Sequence, residues 1–120
     1  MTSKDFFSFR GGAKVFFARV KVAKGIVGRA RGLLFKPPLE RGCGMYFFRC
    51  NSVHTWFMRY PIDVIYLDKE NYVVKIVSYL NPWSFSGSFR AASVIEVSAG
   101  YTKEMFLEIG NKIYFDPVEL

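Results

Sequence analysis

The strongest constraint on this chain is a pair of apolar runs separated by a short polar stretch. Ile62–Leu67 (IDVIYL) and Tyr72–Leu80 (YVVKIVSYL) are rich in β-branched and aromatic residues, which pack well on a pleated surface. Between them Asp68-Lys69-Glu70-Asn71 is wholly polar and reads as a connection. The pair predicts an antiparallel hairpin.

The rest of the chain repeats this pattern. In Ala13–Ala23 (AKVFFARVKVA), Phe16, Ala18, Val20 and Val22 share one parity, which predicts a half-buried strand. Cys43–Cys50 (CGMYFFRC) is an apolar run of strand length, and Val53–Met58 continues the sheet until Pro61 breaks it. Ser93–Ser98 (SVIEVS) and Lys112–Phe115 (KIYF) predict two more strands. Gly25–Phe35 has apolar spacings of three and four and predicts a short helix, ended by Pro37-Pro38. Tyr101–Glu108 suits one or two helical turns, with Thr102 as N-cap and Gly110 as stop. Asn81–Arg90 (NPWSFSGSFR) has loop chemistry, and residues 1–12 read as an N-terminal arm before Gly11-Gly12. The expectation is a mainly β single domain over residues 13–120, either a sandwich or a jelly-roll-like distorted barrel, with one or two short helices.

Length and charge agree. A chain of 120 residues fits one domain and can bury a core without metal or disulfides. Residues 1–60 hold twelve basic and two acidic residues, net +10, whereas residues 61–120 are net −3 with five basic and eight acidic. A basic half can attract nucleic acid or an acidic partner. Here the basic residues are scattered singly, as a solubilising charge would be. Asp5 and Arg10 interrupt the N-terminal apolar residues, so no secretory signal is read, and no run approaches a membrane span. Cys43 and Cys50 are expected to be reduced thiols, which places the chain in the cytoplasm.

The chemistry-bearing residues concentrate in Ser52–Asp68 (SVHTWFMRYPIDVIYLD). His54 is the sole histidine, a candidate general base or ligand contact against a plain role at a strand end. Arg59 and Asp63 flank Tyr60-Pro61-Ile62, at a spacing that suits an ion pair pinning the turn or an anion contact. A carboxylate opening an apolar strand must be paired or neutralised if buried. Glu96 lies between Ile95 and Val97 and is read as solvent-facing, or as a second carboxylate approaching Asp63 across the sheet. Trp56 and Trp83 are candidates for a stacking platform with Phe85 and Phe89, and Arg90 for an anion contact beside them. No P-loop, GxGxxG or GxSxG appears, so no cofactor is expected. One histidine and two isolated cysteines predict no metal site.

The ordered set of segments resembles the family called domain of unknown function 192. It begins at Arg31-Gly32-Leu33-Leu34 and Gly44-Met45. It is densest in His54-Thr55-Trp56-Phe57-Met58-Arg59, Pro61-Ile62-Asp63-Val64 and Leu67-Asp68. It closes with Asn81-Pro82-Trp83, Ala92, Val94-Ile95-Glu96-Val97 and Ala99-Gly100. The resemblance implies a compact, mainly β fold of sandwich or jelly-roll type and no particular activity. Many members of that family carry a secretory signal, and this chain looks like its cytoplasmic branch. Asn71-Tyr72 stands where the family commonly has a glycine turn.

Three functional readings follow, in order of preference. The first is a binding or accessory module with a pocket for a small anionic or ring-containing ligand, lined by His54, Trp56, Arg59, Asp63, Trp83 and Arg90. The second is a hydrolase or lyase using Asp63 or Glu96 with His54 as acid/base. The third is nucleic-acid binding through the basic N-terminal half.

Overall fold

The hairpin forms as expected, and the sheet grows from it. A computed structural model describes residues 2–11, 14–22 and 38–119. Its strands are β1 (Thr2–Gly11), β2 (Lys14–Val22), β3 (Cys43–Phe48), β4 (Ser52–His54), β5 (Ile62–Leu67), β6 (Val73–Leu80), β7 (Phe85–Gly87), β8 (Ser93–Ser98) and β9 (Tyr114–Glu119). The one helix among the described residues is α1 (Tyr101–Glu104). Strand dominates the described residues and helix is confined to one turn, so the protein is mostly β.

Seven strands form one mixed sheet in the order β6-β5-β8-β3-β2-β1-β9. All neighbours are antiparallel except β2 and β3. The sheet is not a closed barrel, but it curls. Just before β9, Lys112 bridges to Tyr72, and Ile113 N–H donates to Asn71 at 2.9 Å, bringing the β9 end back to the start of β6. The turn between β5 and β6 explains itself. The Asp68 carboxylate accepts from the N–H groups of Glu70 and Tyr72, both at 2.9 Å, and Asn71 takes φ 68°. Asparagine tolerates that left-handed conformation, so it substitutes for glycine there.

Both faces of the central strands are covered. Ile65 and Leu67 of β5, with Ile95 and Val97 of β8, face a first core that also holds Phe9, Val20 and Ile113. Ile62, Val64 and Tyr66 of β5, with Val94 of β8, face a second core with Met45, Phe47, Val53 and Met58. This alternation follows from the two-residue period of a strand. Phe9 meets Tyr46 and Phe115 edge to face in the first core, and those two rings tilt against each other, with centroids 4.4 to 5.7 Å apart.

Several local expectations change. Residues 2–11, expected as an arm, are β1, which pairs with both β2 and β9 and buries Phe9 completely. Irregular register around Phe7 and Phe9 breaks the alternation that would have marked the strand. Ser52–His54 does not continue the main sheet but pairs with Phe85–Gly87, inside the expected loop, in a separate two-stranded ribbon. The helix expected at Gly25–Phe35 lies outside the described residues. The helical turn starts at Tyr101 from Gly100, and the Thr102 side chain turns inward to Asp63 instead of capping. No helix among the described residues is long and apolar enough to cross a membrane.

Candidate functional site

The ribbon of β4 and β7 has an inner and an outer face, set by strand alternation. Val53 and Ser86 are paired across it and both are buried. Val53 joins the second core, and Ser86 Oγ receives a hydrogen bond from Tyr66 OH at 2.9 Å. Lys75 Nζ donates to the Gly87 carbonyl at 2.7 Å, fixing the ribbon to β6. The next pair, His54 and Phe85, consequently faces outward.

The chain beyond β4 adds more rings to this outer side. His54 stacks on Trp56 with centroids 4.5 Å apart and planes 27° from parallel. Phe57 meets Trp83 at 4.6 Å. Phe57 is 57% exposed, Trp83 63%, and Phe89 fully exposed. Phe57 and Trp83 have φ of 66° and 61°. A bulky side chain in this left-handed region costs of order 1–3 kcal/mol, and such residues gather at functional sites. Phe85 and Phe89, with Asn51, Ser52, Gly87 and Ser88, line an open groove of about 340 Å³.

One buried residue holds the two loops together. The Thr55 amide donates to the Ser84 carbonyl at 2.9 Å, and its carbonyl accepts from Trp83 N–H at 2.9 Å and Met58 N–H at 3.1 Å. Its hydroxyl donates to the Asn81 carbonyl at 2.5 Å and accepts from Ser84 N–H at 2.9 Å. Thr55 therefore sets the positions of Phe57 and Trp83. Nothing in its sequence context signals this, because every partner but Met58 lies some thirty residues away. Thr55→Val keeps the shape and removes the hydroxyl, leaving Asn81 and Ser84 without their partner. The expected loss is about 2 kcal/mol of stability, with easier acrylamide quenching of tryptophan fluorescence as Trp83 loosens. Unchanged quenching and stability would remove Thr55 from this role.

The carboxylates lie elsewhere. Asp63 is fully buried and accepts four hydrogen bonds. They come from the N–H groups of Tyr79 (2.9 Å), Gly100 (2.9 Å) and Thr102 (3.1 Å) and from the Thr102 hydroxyl (2.5 Å). Both its oxygens are occupied by the protein, and Arg59, which is exposed, is not among the donors. Glu96 is 7% exposed, not solvent-facing, because the second core covers that side of β8. Burial pushes its carboxyl up to about 7. Tyr60 and Tyr66 are pushed up too, first by burial and then in part by the Glu96 charge. Asp63 pairs with Val97, and Glu96 with Val64. The two carboxylates therefore point to opposite faces of the sheet. The structure brings His54, Trp56 and Trp83 to the outer side of the ribbon, with exposed Arg59 and Arg90 on the same two loops. It does not bring Asp63 or Glu96 there.

Other reactive groups are modest. Cys43 and Cys50 are half-buried free thiols, and Cys50 Sγ donates to the Ser52 carbonyl at 3.1 Å. Among the described residues no group of three or more His, Cys, Asp or Glu is placed to hold a metal.

A curled mixed sheet carrying a strapped-on two-stranded ribbon is a fold shared with two solved structures. One is a protein of unknown function from Novosphingobium aromaticivorans (TM-score 0.80, 20% identity, covering 91% of this chain and 83% of that one). The other is a putative transcription regulator from Sinorhizobium meliloti (TM-score 0.81, 19% identity, covering 95% of each). At that identity the likeness establishes the fold. The chain belongs to the DUF192 family, described as Uncharacterized ACR, whose model matches residues 8–115. It is 34% identical to a UPF0127 protein of Pyrococcus abyssi over 102 residues, covering 79% of this chain and 84% of that protein. A UPF0127 protein of Pyrococcus horikoshii is 37% identical over 100 residues, covering 78% and 84%.

Proposed function

We propose that this protein is a binding module that holds a ring-containing ligand on the outer aromatic side of the β4–β7 ribbon. The observation that carries the reading is the Phe57–Trp83 pair. Two large rings are exposed, in mutual contact, and held in left-handed backbone by the hydrogen bonds of Thr55. Trp56, stacked on His54, extends the surface, and Arg59 and Arg90 supply positive charge for an anionic group. Asp63 is assigned to the fold, since its four hydrogen bonds leave no acceptor for a ligand.

The chain has two tryptophans and both lie on this surface, so intrinsic fluorescence reports on it directly. Titration with a panel of nucleosides, nucleotides and oligosaccharides is expected to quench or shift the emission for at least one class. Trp83→Ala and Trp56→Ala should each weaken that binding about 5- to 150-fold, since a stacked ring contributes roughly 1–3 kcal/mol. Stability should change by less than about 1 kcal/mol, because Trp83 lies mostly in solvent and Trp56 is half exposed. A ligand whose affinity ignores both substitutions would place the binding site elsewhere.

A further inference from the structure

The aromatic surface carries one sign of charge. The two stretches that build it, Arg49–Ile62 and Asn81–Ala92, contain no aspartate or glutamate. Exposed Arg59 and Arg90 lie on the same loops as the rings. We infer that the ligand is single-stranded nucleic acid, with bases stacking on Trp56, Phe57 and Trp83 and phosphates met by Arg59 and Arg90. This rests on the reading of the ribbon's outer side as the binding surface and names its ligand class.

Four physical points support the assignment. First, the surface asks for rings and negative charge in one molecule, which a nucleotide chain supplies at every unit. Second, the surface is open. A small-ligand site encloses most of its ligand, whereas rings at positions 56–57, 83, 85 and 89 spread along loops and suit a polymer lying across them. Third, a duplex hides its base faces, so exposed rings favour an unpaired strand. Fourth, the competing ligands fit less well. Sugar hydroxyls are donors that carboxylates would accept, and these stretches have none. Insertion into a lipid surface would bury Asn51, Ser52, Ser84 and Ser88, which interleave with the rings, at the cost of unpaired polar groups.

The test uses the full chain and a fluorescein-labelled oligo(dT) of about 12 nucleotides, read by anisotropy from about 50 to about 200 mM salt. The single strand is expected to bind at least about tenfold tighter than a duplex of the same length. With two or three phosphate contacts, affinity should fall roughly 7- to 20-fold over that salt range. Trp83→Ala should lose about tenfold with the salt slope kept, whereas Arg59→Glu with Arg90→Glu should flatten the slope. Because all three residues are exposed, the variants should keep the wild-type melting temperature, which excludes misfolding as the cause. Equal binding of duplex, or affinity indifferent to Trp83, overturns the assignment. So does sedimentation with phosphatidylserine vesicles in the absence of oligonucleotide binding. If oligonucleotides fail while another ring ligand quenches the tryptophans in a Trp83-dependent manner, the nucleic-acid assignment falls and the binding surface stands. If no ring ligand of any class perturbs the tryptophans, both fall.

Discussion

Asp63→Ala is expected to cost about 4 kcal/mol of stability and to lower the melting temperature by roughly 15 °C in thermal unfolding followed by circular dichroism. The reason is the number and burial of the donors it would strand. Three backbone N–H groups and one hydroxyl end on the Asp63 carboxylate, and the residue is fully buried. Each buried donor left without an acceptor costs about 1–3 kcal/mol, part of which water entering the new space would recover. The donors come from three elements: the end of β6 at Tyr79, the turn at Gly100 and the start of α1 at Thr102. Tyr79 and Gly100 have φ of 54° and 86°, so the carboxylate also holds two left-handed residues in place. Asp63→Asn should fare little better, because its amide would turn an N–H group toward existing donors. A domain of this length has roughly 6–18 kcal/mol in total, so the loss is a large share of it.

Asp68 provides the comparison. Its carboxylate also accepts from two backbone N–H groups at 2.9 Å, but these bonds lie in solvent at the β5–β6 turn. Asp68→Ala should therefore cost about 1 kcal/mol, since water replaces the lost acceptor. The contrast separates burial from hydrogen-bond number. Should Asp63→Ala cost no more than Asp68→Ala, the anchoring role of Asp63 is lost.

These residues also show what the sequence makes legible. The hairpin and β8 follow from local composition, and the structure places β5 and β8 on the residues predicted. The need of a buried Asp63 for partners is equally a local deduction. Its partners are not, because they lie 16 to 39 residues away and depend on how the sheet curls. Glu96 reads as solvent-facing because alternation reveals two faces but not whether each is covered. The second core, brought together from β3, β5 and the ribbon, decides that. The exposed rings were partly legible: Trp83 sits in a loop rich in serine. Their side-by-side placement depends on Thr55 joining two distant loops, which no periodicity encodes.

Glu96→Gln should stabilise the protein at high pH and leave it unchanged in acid. The carboxyl is pushed from 4.5 up to about 7 by burial. Between these values the folded state holds a proton that the unfolded state has released. Stability therefore falls as pH rises through this window, the reverse of the usual salt-bridged carboxylate. The shift amounts to about 3 kcal/mol once pH exceeds 7, and close burial among Met45 and Val64 leaves little solvent to screen it. Glutamine is neutral throughout and nearly the same shape. Urea denaturation of both proteins should give equal stabilities near pH 4.5. The variant should become about 3 kcal/mol the more stable by about pH 8, most of the divergence falling between those points. Comparing the difference at each pH cancels the remaining titrating groups, which both proteins share. A difference that stays constant with pH would mean that Glu96 is ionised throughout this range in the folded state, and would require a buried cation or a solvent path beside it.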